Sequence, residues 1–234
     1  MRFATKLFTS RIWDYLWLYI GIILILFFSI IDFTTWNVLW FTSTIGSVLG
    51  LVIVQAMANL KGKFGSALGV LGAVLDGFNN YNYGIMAQVL LVIYTGFTYI
   101  VGFFTLQKRI KVSQTNISNL IVSLTVGLIG IMILYFFGTG LLPANTPIYV
   151  FAITVLSFII QVVAQYLMIK GKSLSWFLWT AANILNIFVY GELYFLKLEP
   201  MAIFYLIMTI MYLLNSIKAI FVWYSESEKL HYSV

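Results

Sequence analysis

The sequence divides into eight apolar stretches, at about 13 to 31, 36 to 60, 64 to 80, 84 to 106, 119 to 138, 147 to 169, 174 to 195 and 200 to 224, parted by short polar or charged breaks. A helix needs about 20 apolar residues to cross a bilayer's hydrocarbon core, so the pattern predicts an all-α membrane protein with eight transmembrane helices. The third stretch is the shortest, and Asp76, Asn79 and Asn80 crowd its end, which suits a slightly re-entrant course. All three prolines, Pro143, Pro147 and Pro200, fall in breaks, where a missing N–H costs nothing. Only 9% of the 234 residues are charged, whereas a soluble domain carries roughly 25% to solvate its surface.

Basic residues set the orientation through the positive-inside bias. Arg2, Lys6 and Arg11 precede the first span, Lys61 and Lys63 follow the second, and Lys108, Arg109 and Lys111 follow the fourth. Lys170 and Lys172 follow the sixth, and Lys218 and Lys229 end the chain. With eight spans all of these share one side, and the other receives only Lys197, with Asp32, Glu192 and Glu199. Both termini are therefore expected in the cytoplasm. The net charge of +6 calls for no nucleic-acid partner, because these residues face anionic headgroups of the lipid bilayer. The first apolar stretch, Trp13 to Ile31, ends without a small-x-small cleavage pattern and reads as a retained anchor. Trp13, Trp36, Trp40 and Trp223 fit an interfacial aromatic belt.

With no cysteine and His231 alone in the tail, the apolar body has no disulfide, thiolate nucleophile, His/Cys zinc site or imidazole base. The acidic residues Asp14, Asp32, Asp76, Glu192, Glu199, Glu226 and Glu228 are scattered, with no pair at helical spacing inside an apolar stretch. An enzyme is thus disfavoured, and no cofactor or metal is expected.

Lys61-Gly62-Lys63 and Lys170-Gly171-Lys172 stand 109 positions apart, each after a helix containing Gln, Ala and Met and before another apolar helix. At that offset Tyr81 falls on Tyr190, and the last spans open on Gly84-Ile85-Met86-Ala87 and Glu199-Pro200-Met201-Ala202. Either the tripeptides are two unrelated basic loops, or the chain is duplicated. Duplication gives an N-terminal segment with an extra helix (1–35), a first three-helix repeat (36–106), a linker helix (107–146), a second repeat (147–224) and a cytoplasmic tail (225–234). Two copies four spans apart share one orientation, a parallel pseudo-two-fold, and such repeats place a substrate site at their interface near the midplane.

Polar side chains inside spans cost free energy unless they face a partner or water. In the seventh span Trp176, Trp179, Thr180, Asn183, Asn186 and Tyr190 recur at spacings of three or four and share a face. The eighth carries Tyr205, Thr209, Tyr212, Asn215 and Ser216, the fourth Gln88, Thr95 and Tyr99, and the sixth Thr154, Gln161 and Gln165. A single hydroxyl or amide is ordinary helix glue, worth about 0.6 kcal/mol. Trp179 beside Asn183 is different: an indole is a poor close-packing residue in a membrane, but with an amide it suits a flat ring bearing hydroxyls. No Arg or Lys lies mid-span and no phosphate loop is present, so the ligand is expected to be neutral or cationic and unphosphorylated. Asp76 either draws a cation inward or reaches the interface or pairs with Asn79 or Asn80.

Trp176-Phe-Leu-Trp179-Thr-Ala-Ala-Asn183, followed by an aromatic-rich last helix with Asn215, resembles the W-x-x-W-x-x-x-N helix of the PnuC family of vitamin transporters. Phe64-Gly65 and Met86-Ala87-Gln88-Val89 are similar to that family's F-G and L-Q-V segments, and the likeness covers about residues 40 to 224. The resemblance implies a SWEET-like 3+1+3 fold, a homotrimer in the bacterial inner membrane, and facilitated diffusion of nicotinamide riboside without a coupling ion. A cytoplasmic kinase would then trap the vitamin. Carried over by motif, Gln88, Trp179, Asn183 and Asn215 contact substrate, with Trp176, Thr180 and Tyr212 near them. Leu68 stands where the family's first repeat has its Asn. Relatives carry thiamine, riboflavin or deoxynucleosides, and a non-transporting membrane scaffold whose polar stripes are only helix contacts is the competing reading.

Overall fold

A computed structural model of the chain describes residues 10–31, 37–82, 86–136, 145–196 and 202–231. Among them are eight helices: α1 (Arg11–Ile31), α2 (Val38–Ala58), α3 (Gly62–Asn82), α4 (Met86–Thr105), α5 (Ile117–Phe136), α6 (Ile148–Ile169), α7 (Leu174–Phe195) and α8 (Ala202–His231). Six, all but α3 and α5, are long and apolar enough to cross a membrane. The chain is a multi-pass membrane protein, and large apolar side chains such as Phe104, Ile117 and Ile148 turn outward.

The third apolar stretch was expected to be short and slightly re-entrant, but α3 is one continuous helix of 21 residues. Its polar end stays helical because Asn80 Nδ2 donates to the Asp76 carbonyl (2.7 Å) and Asn82 Nδ2 to the Phe78 carbonyl (2.7 Å). The last helix runs past the apolar stretch to His231, through Ser225-Glu226-Ser227-Glu228. Arg109 meets Glu226 at 2.8 Å there, a mostly exposed pair that contributes little.

Six helices close a ring. α2 packs on α3 and α3 on α4, α6 packs on α7 and α7 on α8, and the halves join through α4 with α6 and α8 with α2. The order is the same in both halves. Outside the ring, α1 lies against α2 and α8, and α5 against α6.

The turns after α2 and α6 match bond for bond. Asn59, Leu60 and Lys61 N–H groups donate to the Gln55, Met57 and Ala56 carbonyls, and Lys170, Gly171 and Lys172 N–H groups donate to those of Tyr166, Met168 and Leu167. This is the Schellman pattern, which needs a left-handed residue after the helix; here it is Leu60 (φ 62°) and Gly171 (φ 66°). A leucine in that region costs about 1 kcal/mol or more, offset by burial of its side chain, only 2% exposed, in a cluster with Met57, Met168, Trp176 and Trp223. The equivalent turn positions are thus Leu60 and Gly171, 111 apart, and the 109-residue offset of the Lys-Gly-Lys tripeptides is two residues out of register. The strings opening the last spans, 84–87 and 199–202, lie largely outside the described residues.

The segment after α4 ties the two turns together. Ile110 N–H donates to the Leu60 carbonyl (2.8 Å) and Ser113 N–H to the Gly171 carbonyl (2.9 Å), and Ile110 and Val112 are buried in the same cluster. Trp223 belongs there too. Read from sequence as an interfacial residue, it is fully buried, donates from Nε1 to the Met57 carbonyl (3.2 Å), and meets Trp176 edge-on at 5.7 Å. Trp36 lies outside the described residues.

Candidate functional site

A cavity of about 170 Å³ lies inside the ring, and its described lining residues come from all six ring helices. The register of the turns shows how it is built. Carried into the helices that follow, it makes Gly65, Gly69 and Gly72 of α3 the counterparts of Trp176, Thr180 and Asn183 of α7. One half presents indoles and an amide; the other presents bare backbone. At Gly69 that space is used by Tyr99 of α4, whose ring would lie 2.5 Å from a Cβ there; at Gly65 and Gly72 it is used by Met57 and Ile53 of α2. In this register Leu68 is the counterpart of Trp179, and the position matching Asn183 is Gly72.

Of the residues expected at the site, Gln88, Trp176, Trp179, Asn183 and Tyr212 line the cavity. Thr180 and Asn215 do not. Thr180 Oγ1 donates to the Trp176 carbonyl (2.8 Å) and lies 3.0 Å from Ser216 Oγ, holding α7 to α8. Asn215, 1% exposed, donates from Nδ2 to the Val54 carbonyl (3.0 Å) and ties α8 to α2. The Asn215 amide is thus committed to α2, and the Thr180 hydroxyl to its own helix and to Ser216 of α8.

Further lining residues come from the other polar stripes: Thr95, Tyr99, Gln161, Gln165, Asn186, Tyr190, Tyr205 and Thr209. Some are held by partners behind them. Ser157 Oγ donates to Asn186 Oδ1 (2.5 Å) and accepts from Gln161 Nε2 (3.1 Å), and Gln165 Nε2 donates to Thr98 Oγ1 (2.8 Å). Others keep capacity to spare. Gln165 Oε1, Trp176 Nε1, Trp179 Nε1 and Asn80 Oδ1 are buried, belong to lining residues, and have no hydrogen-bond partner among the described residues. An unsatisfied buried polar group costs about 1–3 kcal/mol, so four around one cavity are an arrangement suited to a polar guest.

Asp76, left open between steering and pairing by the sequence, lines the cavity. The Asn80 amide meets the Asp76 main-chain carbonyl and leaves the carboxylate to other uses. Among the described residues no Lys or Arg lines the cavity, and no group of three or more acidic or His side chains is placed to hold a metal. Lys218 shows where a buried cation does go. It is fully buried within α8, ion-paired to Asp14 and 2.7 Å from Asn59 Oδ1, outside the cavity.

The model of the nicotinamide mononucleotide transporter family matches residues 40–225. The chain belongs to this family. The match spans the ring and bears out the PnuC resemblance read from the tryptophan and asparagine helix. No curated protein matches the sequence. The fold is similar to a solved structure described as the vitamin B3 transporter PnuC, with a TM-score of 0.74 over 97% of each chain at 18% identity. Family membership makes the chain a transporter of the PnuC type.

Proposed function

We propose that the protein carries an unphosphorylated vitamin or nucleoside, foremost nicotinamide riboside, by facilitated diffusion through the ring cavity, and catalyses no reaction. The observation behind this is the set of unpartnered indole N–H and amide oxygen atoms around a cavity with no cationic side chain among its described lining residues. The family description names a mononucleotide, but a phosphate monoester entering here would meet Asp76 and no Lys or Arg. A nucleoside meets stacking faces, donors and acceptors instead. In this reading the nicotinamide ring stacks on Trp179, and Asn183 and Gln88 bond ribose hydroxyls or the carboxamide, with Trp176 and Tyr212 beside them. Thr180 and Asn215 act by holding α7 and α8 in place.

The ring's repeated packing order supports a SWEET-like 3+1+3 core with α5 as linker and α1 as the extra helix, in which the halves rock about the site. Neutral contacts of modest strength suit a carrier, which must release what it binds. Net uptake then comes from a cytoplasmic kinase. Placement of both termini in the cytoplasm of a bacterial inner membrane, eight spans and a homotrimer complete the proposal, the first of these resting on the basic residues at the ends of α2, α4 and α6. Thiamine, riboflavin and deoxynucleosides are the alternative cargoes, to be compared in one binding panel.

Calorimetry on purified protein tests the site. Nicotinamide riboside should bind wild type, and Trp179→Ala should abolish the heat while the variant remains folded and monodisperse. Unchanged affinity in Trp179→Ala overturns the site. A pure scaffold, by contrast, would bind none of the panel.

A further inference from the structure

Asp76 is the sole carboxylate among the described cavity residues, and the two ion pairs of the described residues, Arg109 with Glu226 and Lys218 with Asp14, leave it out. A carboxylate in a low-dielectric wall without a fixed cation is costly to keep, and in membrane proteins such groups mark ligand or ion pathways. One turn on, Asn80 is 4% exposed and lines the same cavity. Its amide nitrogen is committed to the Asp76 carbonyl, so its unpartnered Oδ1 is a second acceptor beside the carboxylate. Tyr190 and Tyr205, both lining residues, stack at 5.2 Å and 23°, and Tyr205 also shares a smaller pocket with Asp76. A carboxylate, a carbonyl oxygen and two aromatic rings lining one cavity form a setting for an organic cation. A bare metal ion would want six to eight oxygens.

We propose that Asp76, with Asn80 and the Tyr190–Tyr205 pair, makes this cavity select positively charged substrates over neutral ones of the same shape. This rests on the cavity being the substrate site. In the register of the two halves Asp76 lies about eight residues beyond the level of Trp179, roughly 12 Å of helix rise. A unit charge about 12 Å from the carboxylate gains about ten-fold in affinity, taking an effective dielectric of about 20. A ring lodged against the carboxylate gains more.

The experiment uses nicotinamide riboside, a permanent pyridinium cation, and its neutral dihydro form, titrated calorimetrically into full-length wild type, Asp76→Asn and Asp76→Glu. Wild type should favour the cation by about ten-fold or more, Asp76→Asn should bring the ratio near one, and Asp76→Glu should restore most of it. A wild-type ratio near one, or a preference that survives Asp76→Asn, overturns the proposal, and the wild-type ratio decides alone if Asp76→Asn does not fold. Sodium-dependent binding of the neutral form assigns the carboxylate to an inorganic ion and likewise overturns it. If neither compound binds wild type, the nicotinamide riboside reading fails first and charge selection falls with it.

Discussion

The ammonium of Lys218, on the last helix, is held by the Asp14 carboxylate at the start of the first helix and by Asn59 Oδ1, 2.7 Å away, at the end of α2. Asn59 Nδ2 in turn reaches Asp14 Oδ2 at 3.2 Å, and Gln55 Nε2 donates to the Asp14 carbonyl at 2.9 Å. With Trp17 Nε1 on the Met211 carbonyl (2.9 Å), these bonds fasten α1 across the seam where α8 meets α2. Lys218→Met strands a partly buried carboxylate and should cost about 3 kcal/mol, lowering the melting temperature in detergent. The double variant Asp14→Asn, Lys218→Met should recover much of that loss, the signature of a coupled pair. Equal losses that simply add would show that the pair is not coupled.

Gly69→Ala places a methyl against the Tyr99 ring. The ring is flanked by packed helices, so over-packing should cost about 1–3 kcal/mol, and relief must come from Tyr99 moving into the cavity. Substrate affinity should fall with stability. The second variant Gly69→Ala, Tyr99→Leu should regain stability, measured by thermal unfolding alongside titration.

Two asparagines on adjacent helices should separate binding from packing. Asn215→Leu leaves the Val54 carbonyl without its donor inside the α2–α8 seam, a penalty of about 1–3 kcal/mol, visible as a lower melting temperature. Asn183→Leu should leave the melting temperature near wild type and reduce substrate affinity by about ten-fold. The reverse pattern would exchange the roles of the two residues.

Much of this division was beyond the sequence. Helical phase put Trp179, Thr180, Asn183 and Asn215 on inward faces, and an indole beside an amide stood out because an indole packs poorly between membrane helices and an amide is costly in lipid. Phase alone does not say whether an inward hydroxyl meets a cavity or a neighbouring helix, and Thr180 and Asn215 meet helices. The glycine wall at Gly69 and Gly72 carries no polar signal, so it becomes visible only once the turn register pairs it with Thr180 and Asn183. Repeated Lys-Gly-Lys pointed to the right turns but the wrong register, because Leu60 takes the left-handed position that Gly171 fills in the second half. Lys218 lies near the end of an apolar run, where a lysine reads as interfacial, and its partner Asp14 is 204 positions away.

Trp179→Phe keeps a stacking ring and removes the N–H that has no partner among the described residues. Affinity for nicotinamide riboside should drop by about ten-fold, the worth of one buried hydrogen bond, against complete loss in Trp179→Ala. Equal affinity in wild type and Trp179→Phe would leave stacking as the sole role of the indole.

Uptake of labelled nicotinamide riboside into proteoliposomes bears most directly on carriage through the ring cavity. The internal concentration should rise to the external value and stop there, with or without proton or sodium gradients, and Asn183→Leu should slow it. Nicotinamide mononucleotide should not enter. Accumulation above the external concentration under an ion gradient, or entry of the mononucleotide in place of the riboside, would contradict passive carriage of an unphosphorylated vitamin.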